Sequence, residues 1–291
     1  MIVSGMDRRD VLALLNDYYS IENTLRRRGF DVKEKGSSEQ VIQTTEEFYN
    51  SMKSFPFRQV LRCIYEKADG VTQDDILGQF GNLNADSLRK KIEEMVSEGC
   101  VLPAAGENLC SRISGKEFGI TFEWFLAELL KREMRGIARF GIKLLNLKCG
   151  GDYDVIGRMD DVLVYIECKS GSIHNVTVGD IKRFIARAQE LVPSLSVLLV
   201  DTNGLTDSFR QQCLDAQKGD GSSPPQPLRR RKIKPRGLFY ELLGKTYVLT
   251  SEGNLVSNLK LVVNHFFSFE KPYGGWAPDI GKLGHYDEYE E

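Results

Sequence analysis

The sequence predicts an α/β protein in which a mainly helical first part precedes a unit built in the order α-β-β-β-α-β. Three observations predict it. Apolar residues recur at helical spacing through much of the first hundred residues, strict two-residue alternation appears around 162–169, and helix and strand patterns succeed one another from 116 to 201. The 291 residues, 41% hydrophobic and 27% charged, fit one large or two to three small globular domains and exclude disorder throughout. No stretch approaches the ~18 apolar residues that span a bilayer, and the start MIVSGMDRRD lacks the apolar core of a secretory leader. A cytoplasmic protein without a membrane partner is expected. Six cysteines without a CxxC pair read as free thiols in a chain long enough to bury a core unaided. The net charge of -2 excludes a uniformly basic protein, so any nucleic-acid contact rests on local charge.

Residues 8–28 read as a helix, with Val11, Leu12, Leu15, Tyr18 and Tyr19 at roughly helical spacing and Gly29 as its stop. Arg26, Arg27 and Arg28 in its last turn are either a solvated, dipole-friendly end or a phosphate contact. Gly36, Ser37 and Ser38 mark a loop before a second helical stretch, 41–52. Three short helices and a hairpin follow. The first is 57–67; the second opens at Thr72 with Asp75 three positions on; the third, 85–97, is capped by Asn84 and buries Leu88, Ile92 and Met95. Segments 100–102 and 108–113 pair across a turn at 103–107. This order resembles a winged helix, which implies that Arg89, Lys90 and Lys91 on the third helix face phosphates and base edges. A protein-interaction domain of the same shape is the alternative.

The chemistry lies between 116 and 192. A helix over 117–134 buries Phe118, Phe122, Phe125, Leu126, Leu129 and Leu130, with Glu123 at the border of that stripe and Glu128 on the wetter side. Residues 141–147 (GIKLLNL) read as a strand, and GGDYDVIGRMDDVLVYIECKSG over 150–171 reads as a hairpin. Val162, Val164, Ile166 and Cys168 alternate with Leu163, Tyr165, Glu167 and Lys169, so Glu167 and Lys169 share a face. Pairing Arg158 with Asp161 across a two-residue turn puts Asp154 opposite Tyr165, with Glu167 as its diagonal neighbour at ~7–8 Å between Cα atoms. Two carboxylates so placed suit a hard, oxygen-seeking cation such as Mg²⁺. Asp152 is the rival of Asp154; it lies nearer the strand's start and lacks the apolar Val155 and Ile156 immediately after it.

Asp154 followed by Glu167, Cys168 and Lys169 resembles the D…(D/E)xK signature of the PD-(D/E)XK, or restriction-endonuclease-like, nucleases. The likeness extends to the order of elements across 116–201, and GDYDV…ECKSG is most similar to the Mrr-like and Holliday-junction-type branches. Tyr153 stands where the family's name-giving proline would be. The resemblance implies a restriction-endonuclease-like αβββαβ core, Asp154 and Glu167 as metal ligands, the backbone carbonyl of Cys168 as a third, and Lys169 as the group that orients or deprotonates water or neutralises phosphate. It implies more weakly that Glu123 binds a second metal. Burial and a nearby metal would depress the pKa of Lys169. The expected cofactor is Mg²⁺, with Mn²⁺ as a substitute.

Thr177 and Asp180 form a capping box for a helix over 178–192, on which Lys182, Arg183 and Arg187 stand off the buried stripe as candidate phosphate contacts. A buried strand, 196–200, and a helix, 208–217, follow. The segment 218–227 (KGDGSSPPQP) reads as a linker, and LRRRKIKPR beyond it, with Arg229, Arg230, Arg231 and Lys232, reads as a phosphate-gripping loop or a solvated charge run. A closing strand in 238–251, an amphipathic helix in 254–267 and a frayed acidic tail complete the chain. Four segments are expected: a helical region 1–54, a winged-helix-like domain 55–114, a nuclease-like domain 115–270 and an acidic tail 271–291. The expected function is metal-dependent cleavage of phosphodiester bonds in duplex or branched DNA, with a homodimer as the expected way for one site per chain to cut two strands. The alternatives are an RNA-cleaving enzyme and a non-catalytic nucleic-acid-binding or regulatory protein on the same fold.

Overall fold

A computed structural model of the chain describes residues 7, 17–34, 40–67, 70–80, 84–103, 108–111, 117–218, 229–233, 237–243, 245–269 and 287–288. Its helices are α1 (Ile21–Arg27), α2 (Glu46–Met52), α3 (Phe55–Glu66), α4 (Gln73–Gln79), α5 (Ala85–Ser97), α6 (Glu117–Met134), α7 (Val178–Leu191), α8 (Asp207–Gln217) and α9 (Leu255–Phe269). Its strands are β1 (Val32–Glu34), β2 (Val71–Thr72), β3 (Val101–Pro103), β4 (Asn108–Ser111), β5 (Ile137–Leu144), β6 (Asp152–Met159), β7 (Val162–Lys169), β8 (Leu195–Val200), β9 (Arg229–Ile233), β10 (Gly237–Leu243), β11 (Thr246–Thr250) and β12 (Asp287–Glu288). The protein is a mixed α/β structure. One sheet runs β1-β5-β6-β7-β8-β11-β10-β9-β12, and a small second sheet runs β2-β4-β3.

Several local rules act as the sequence expects. Thr72 and Asp75 close a capping box on α4, Thr177 and Asp180 another on α7, and Asn84 caps α5. The first helical pattern divides, however. Ser20 accepts the amide of Asn23 and starts α1 afresh, because a serine in extended backbone satisfies an orphan N–H better than it continues a helix; residues 8–16 of that pattern lie outside the described residues. Thr45 likewise caps α2, so it begins later than the apolar pattern at 41–52 implied. The strand expected at 141–147 starts at Ile137, and the expected single closing strand is a β10–β11 hairpin. The turn at 104–107 and the linker at 219–228 lie outside the described residues.

The core of the large sheet is an antiparallel meander, β5-β6-β7, from which α7 crosses over to place β8 parallel to β7. Helix α6 precedes the meander, so the chain order over this unit is α-β-β-β-α-β. Each face buries its own apolar cluster. On one face Val155, Val164, Ile166 and Val197 join α6 and α9, whereas on the other Ile156, Tyr165, Leu198 and Val200 join α1, α7 and α8.

Helix α3, β2, α4, α5, β3 and β4 form a small helical unit with its three-stranded sheet. A continuous apolar cluster runs from Val41 through Leu61, Ile92 and Val101 to Phe122, Leu249 and Phe266. The Phe48 ring stacks on Trp124 at 5.9 Å, and Tyr49 meets Phe125 at 5.7 Å. Within it Arg58, a residue 0% exposed, grips with its guanidinium the carboxylate of Asp201 at the end of β8 through Nε (3.1 Å to each oxygen) and Nη2 (2.8 Å). The segments expected at 1–54, 55–114 and 115–270 therefore meet in a shared interior.

The basic run at Arg229 to Ile233 is a strand rather than a loop, paired antiparallel with β10. On its other side β12 brings Asp287 opposite Lys232 and Glu288 opposite Arg231, so part of the acidic tail is in the sheet rather than frayed. Among the described residues no helix is long and apolar enough to cross a membrane. Cys63, Cys100, Cys149, Cys168 and Cys213 are free thiols.

Candidate active site

The site is built where β6 and β7 part. Their register is Met159↔Val162, Gly157↔Val164 and Val155↔Ile166, two residues removed from the Arg158–Asp161 pairing expected. The turn is Asp160–Asp161, and Asp160 takes a left-handed φ of 49°, which a short polar side chain tolerates and which tightens the hairpin. Continued by one position, this register sets Asp154 directly opposite Glu167, instead of diagonal to it.

A kink lifts Asp154 out of the regular strand. Val155 packs on the α6 face while Tyr153 packs on the α7 face, which simple alternation forbids for residues two apart. On β5, Ala138 and Phe140 likewise face α6, while Ile142 and Leu144 face α7. The reversal falls at Gly141, between the pairs Phe140↔Val155 and Ile142↔Tyr153, where φ is 59°. Glycine is the residue that adopts this conformation freely, and the kink it permits lies across from Asp154.

Freed from the ladder, the Asp154 carboxylate accepts the backbone N–H of Cys168 at 2.8 Å. The N–H and C=O of a strand residue point to the same side, so the Cys168 carbonyl faces the gap that Asp154 occupies. Glu167, 4% exposed, is held from three directions. Lys169 Nζ donates to one carboxylate oxygen at 3.0 Å, while Arg187 Nη1 at 2.9 Å and the Tyr165 hydroxyl at 2.5 Å donate to the other. Tyr165 is fixed in turn against Tyr153 and Phe184.

Burial and the neighbouring Glu167 charge push the Asp154 carboxyl up to about 7, against the opposing pull of the Cys168 N–H. Burial works against the charge on Lys169, but Glu167 outweighs it and raises the ammonium above its ordinary range. The sequence reading expects burial and a bound metal to lower this pKa; burial does lower it, and the neighbouring carboxylates outweigh burial. The Cys168 thiol, pushed up by burial and then by Asp154 and Glu123, is neutral and no nucleophile.

The remaining sequence candidates divide. Glu123 sits on α6 and acts on the Cys168 thiol from the far side of β7. Among the described residues no three His, Cys, Asp or Glu side chains converge closely enough to hold a metal, so Glu123 does not complete a side-chain triad with Asp154 and Glu167. Asp152 lies opposite Lys143 on β5, and it is Asp154 that reaches the Glu167 strand. Arg187 belongs to the site itself, paired with Glu167, rather than to a solvated helix face. Lys182 and Arg183 are exposed on α7, Arg183 paired with Asp180. Arg89 and Lys90 are exposed on α5, Arg89 near Asp86 at 3.6 Å, and Lys91 is half-buried.

One neighbour of the site escaped the sequence reading. Arg62 of α3, one turn beyond Arg58, donates from Nη1 to the carbonyl of Ser170, the residue after Lys169. The i, i+4 spacing of two arginines on one helix was visible; their target, more than a hundred residues away, was not.

No family model matches the chain, and no curated protein matches it. Solved structures similar to it include Can2 from Sulfobacillus thermosulfidooxidans in complex with cyclic tetra-adenylate, at 14% identity and a TM-score of 0.49, covering 85% of this chain and 60% of that one. Protein VC1899 from Vibrio cholerae is similar at 11% identity and a TM-score of 0.44, covering 82% of this chain and 59% of that one. The chain spans about three-fifths of the length of each.

Proposed function

We propose that the protein is a metal-dependent phosphodiesterase of the PD-(D/E)XK type, acting on DNA that its helical unit helps to hold. The observation that carries the reading is the meeting of Asp154, Glu167 and Lys169 at the parting of β6 and β7, with the Cys168 main chain pinned between them. The donor set fits a hard divalent cation: two carboxylates, Asp154 raised by burial and then by the Glu167 charge, and a carbonyl turned to the same gap. Asp154, Glu167 and the Cys168 carbonyl would hold Mg²⁺ or Mn²⁺, which lowers the pKa of bound water and offsets charge on the phosphate.

The chain's own residues do the rest. Lys169, charged because Glu167 holds its proton in place, offers Nζ to a phosphate oxygen or to the attacking water as a donor. Arg187 holds the Glu167 carboxylate in its orientation. Tyr165, locked by Phe184 and Tyr153, fixes the same carboxylate from below. The helical unit resembles a winged helix in its element order, and its exposed Arg89 and Lys90 on α5 supply a cationic face for duplex phosphates.

The reading predicts that purified protein nicks or linearises supercoiled plasmid with Mg²⁺ or Mn²⁺ and not with EDTA. Lys169→Ala should retain duplex binding and lose cleavage by at least ~10²-fold. A wild-type protein that shifts DNA mobility without cutting plasmid, branched DNA or RNA in either metal would instead be a binder on a nuclease-like platform. One observation favours that second reading: Glu167 already has Lys169, Arg187 and Tyr165 as partners.

A further inference from the structure

We infer that Arg62 is a positioning residue for the substrate phosphate, carried to the Asp154–Glu167–Lys169 site by the helical unit. The inference rests on the phosphodiesterase reading and adds to it which part of the chain grips the substrate beside the reacting centre.

Helix α3 lies against the ends of β7 and β8. Its Arg58 holds the Asp201 carboxylate, and the Asp201 N–H donates to the carbonyl of Lys169 at 2.8 Å. One turn on, Arg62 donates to the carbonyl of Ser170. Two arginines at i, i+4 therefore fasten one face of α3 to the exit of β7, Arg62 directly at Ser170 and Arg58 by way of Asp201, which bonds Lys169. Gln59 between them donates to the Asp201 carbonyl at 3.3 Å. The helical unit thereby forms a wall of the site, rather than standing apart as a tethered reader.

Charge distinguishes Arg62 from the other cations at this place. Lys169 and Arg187 are both paired with Glu167 at 3.0 and 2.9 Å, Lys169 keeping further Nζ donors, and Arg58 is paired with Asp201. The only carboxylate paired with Arg62 among the described residues is Glu66, at 3.6 Å and with its side chain 63% exposed, where screening leaves little attraction. Among the described residues the Nε of Arg62 is buried without a hydrogen-bond acceptor, the side chain keeps 17% exposure, and the carbonyl of Ser170 fixes the guanidinium through Nη1. A guanidinium has five donors in a planar fork suited to phosphate oxygens. Fixed in direction, weakly neutralised and one residue past Lys169, this one is poised to receive a phosphodiester that approaches Lys169.

The test compares wild type, Arg62→Met and Arg62→Lys. Binding to a labelled DNA duplex is followed in EDTA across about 50 to 200 mM salt, and steady-state cleavage is followed with Mg²⁺. Arg62→Met should reduce the slope of log affinity against log salt by about one and raise KM roughly tenfold, with kcat within about twofold of wild type. Arg62→Lys should recover most of the slope, because it keeps the charge. An unchanged slope and KM in Arg62→Met overturns the inference. So does a variant that loses kcat and thermal stability together while its salt slope stays that of wild type, since Arg62 is then only a brace for Ser170. A wild-type chain without salt-dependent duplex binding overturns it as well. Should Lys169→Ala cut as fast as wild type, the nuclease reading fails, and the salt slope measured in EDTA still decides the role of Arg62.

Discussion

Replacing Arg58 by Met removes the centre of the contact between the helical unit and the large sheet while keeping an unbranched apolar side chain in the space. Both partners of the ion pair are sealed, with side chains 1% and 0% exposed for Arg58 and Asp201. After the substitution, Asp201 keeps the Ser251 hydroxyl at 2.5 Å and the distant Gln59 amide at 3.4 Å, but no cation. The Met52 carbonyl, which accepts from Arg58 Nη1 at 2.6 Å, loses that donor. Stranding a buried charge in this way costs about 3–5 kcal/mol, equivalent to a drop of roughly 10 °C in Tm for a chain of this size. Chemical and thermal unfolding followed by far-UV dichroism measures it. Adding Asp201→Asn to Arg58→Met should restore part of the loss, because the stranded charge is then gone. A loss below about 1 kcal/mol, or a melt in which the helical signal disappears well before the sheet, would refute a shared interior.

Three further outcomes follow from single positions. Glu133 bridges Lys53, at the C-cap of α2, and Lys260 on α9, and their hydrogen bonds hold its carboxyl down at about 2. A depressed carboxylate contributes stability that is complete above its unfolded pKa and disappears as pH falls through its folded one. Glu133→Gln should thus cost about 1 kcal/mol near neutrality and progressively less as pH falls below about 4.5 towards 2, and an equal cost across that range would refute the linkage. At Gly151 an added Cβ would lie 1.7 Å from the Leu144 carbonyl oxygen, so Gly151→Ala must displace the start of β6. It should cost about 1–3 kcal/mol in urea unfolding and reduce cleavage by shifting Asp154; wild-type stability would refute this. The double variant Arg89→Ala, Lys90→Ala should weaken duplex binding and flatten its salt slope by about two with kcat unchanged, and an unaltered slope would remove α5 from the DNA face.

The hairpin was legible because its alternation and polar turn are local signals, and so were the caps at Thr72, Asn84 and Thr177. Its register was not, since sequence alone could not tell whether Asp160 would enter the left-handed region and close the turn at Met159 and Val162. The kink at Gly141 was hidden for a related reason: a glycine inside a strand pattern does not announce which strand it bends or what lies opposite. Charged side chains were the least legible. Arg187 and Arg62 look like ordinary surface cations until Glu167 and Ser170 arrive from elsewhere in the chain. The basic run at Arg229 to Ile233 looked like a loop because strand pairing there depends on β10 and not on its own composition.

The most direct test of the central claim is a calorimetric titration of Mn²⁺ into the protein and its carboxylate variants. The account predicts saturable binding by wild type and by Asp152→Asn, lost in Asp154→Asn and in Glu167→Gln. Uptake that is absent from wild type, or that survives unchanged in Asp154→Asn, would contradict it.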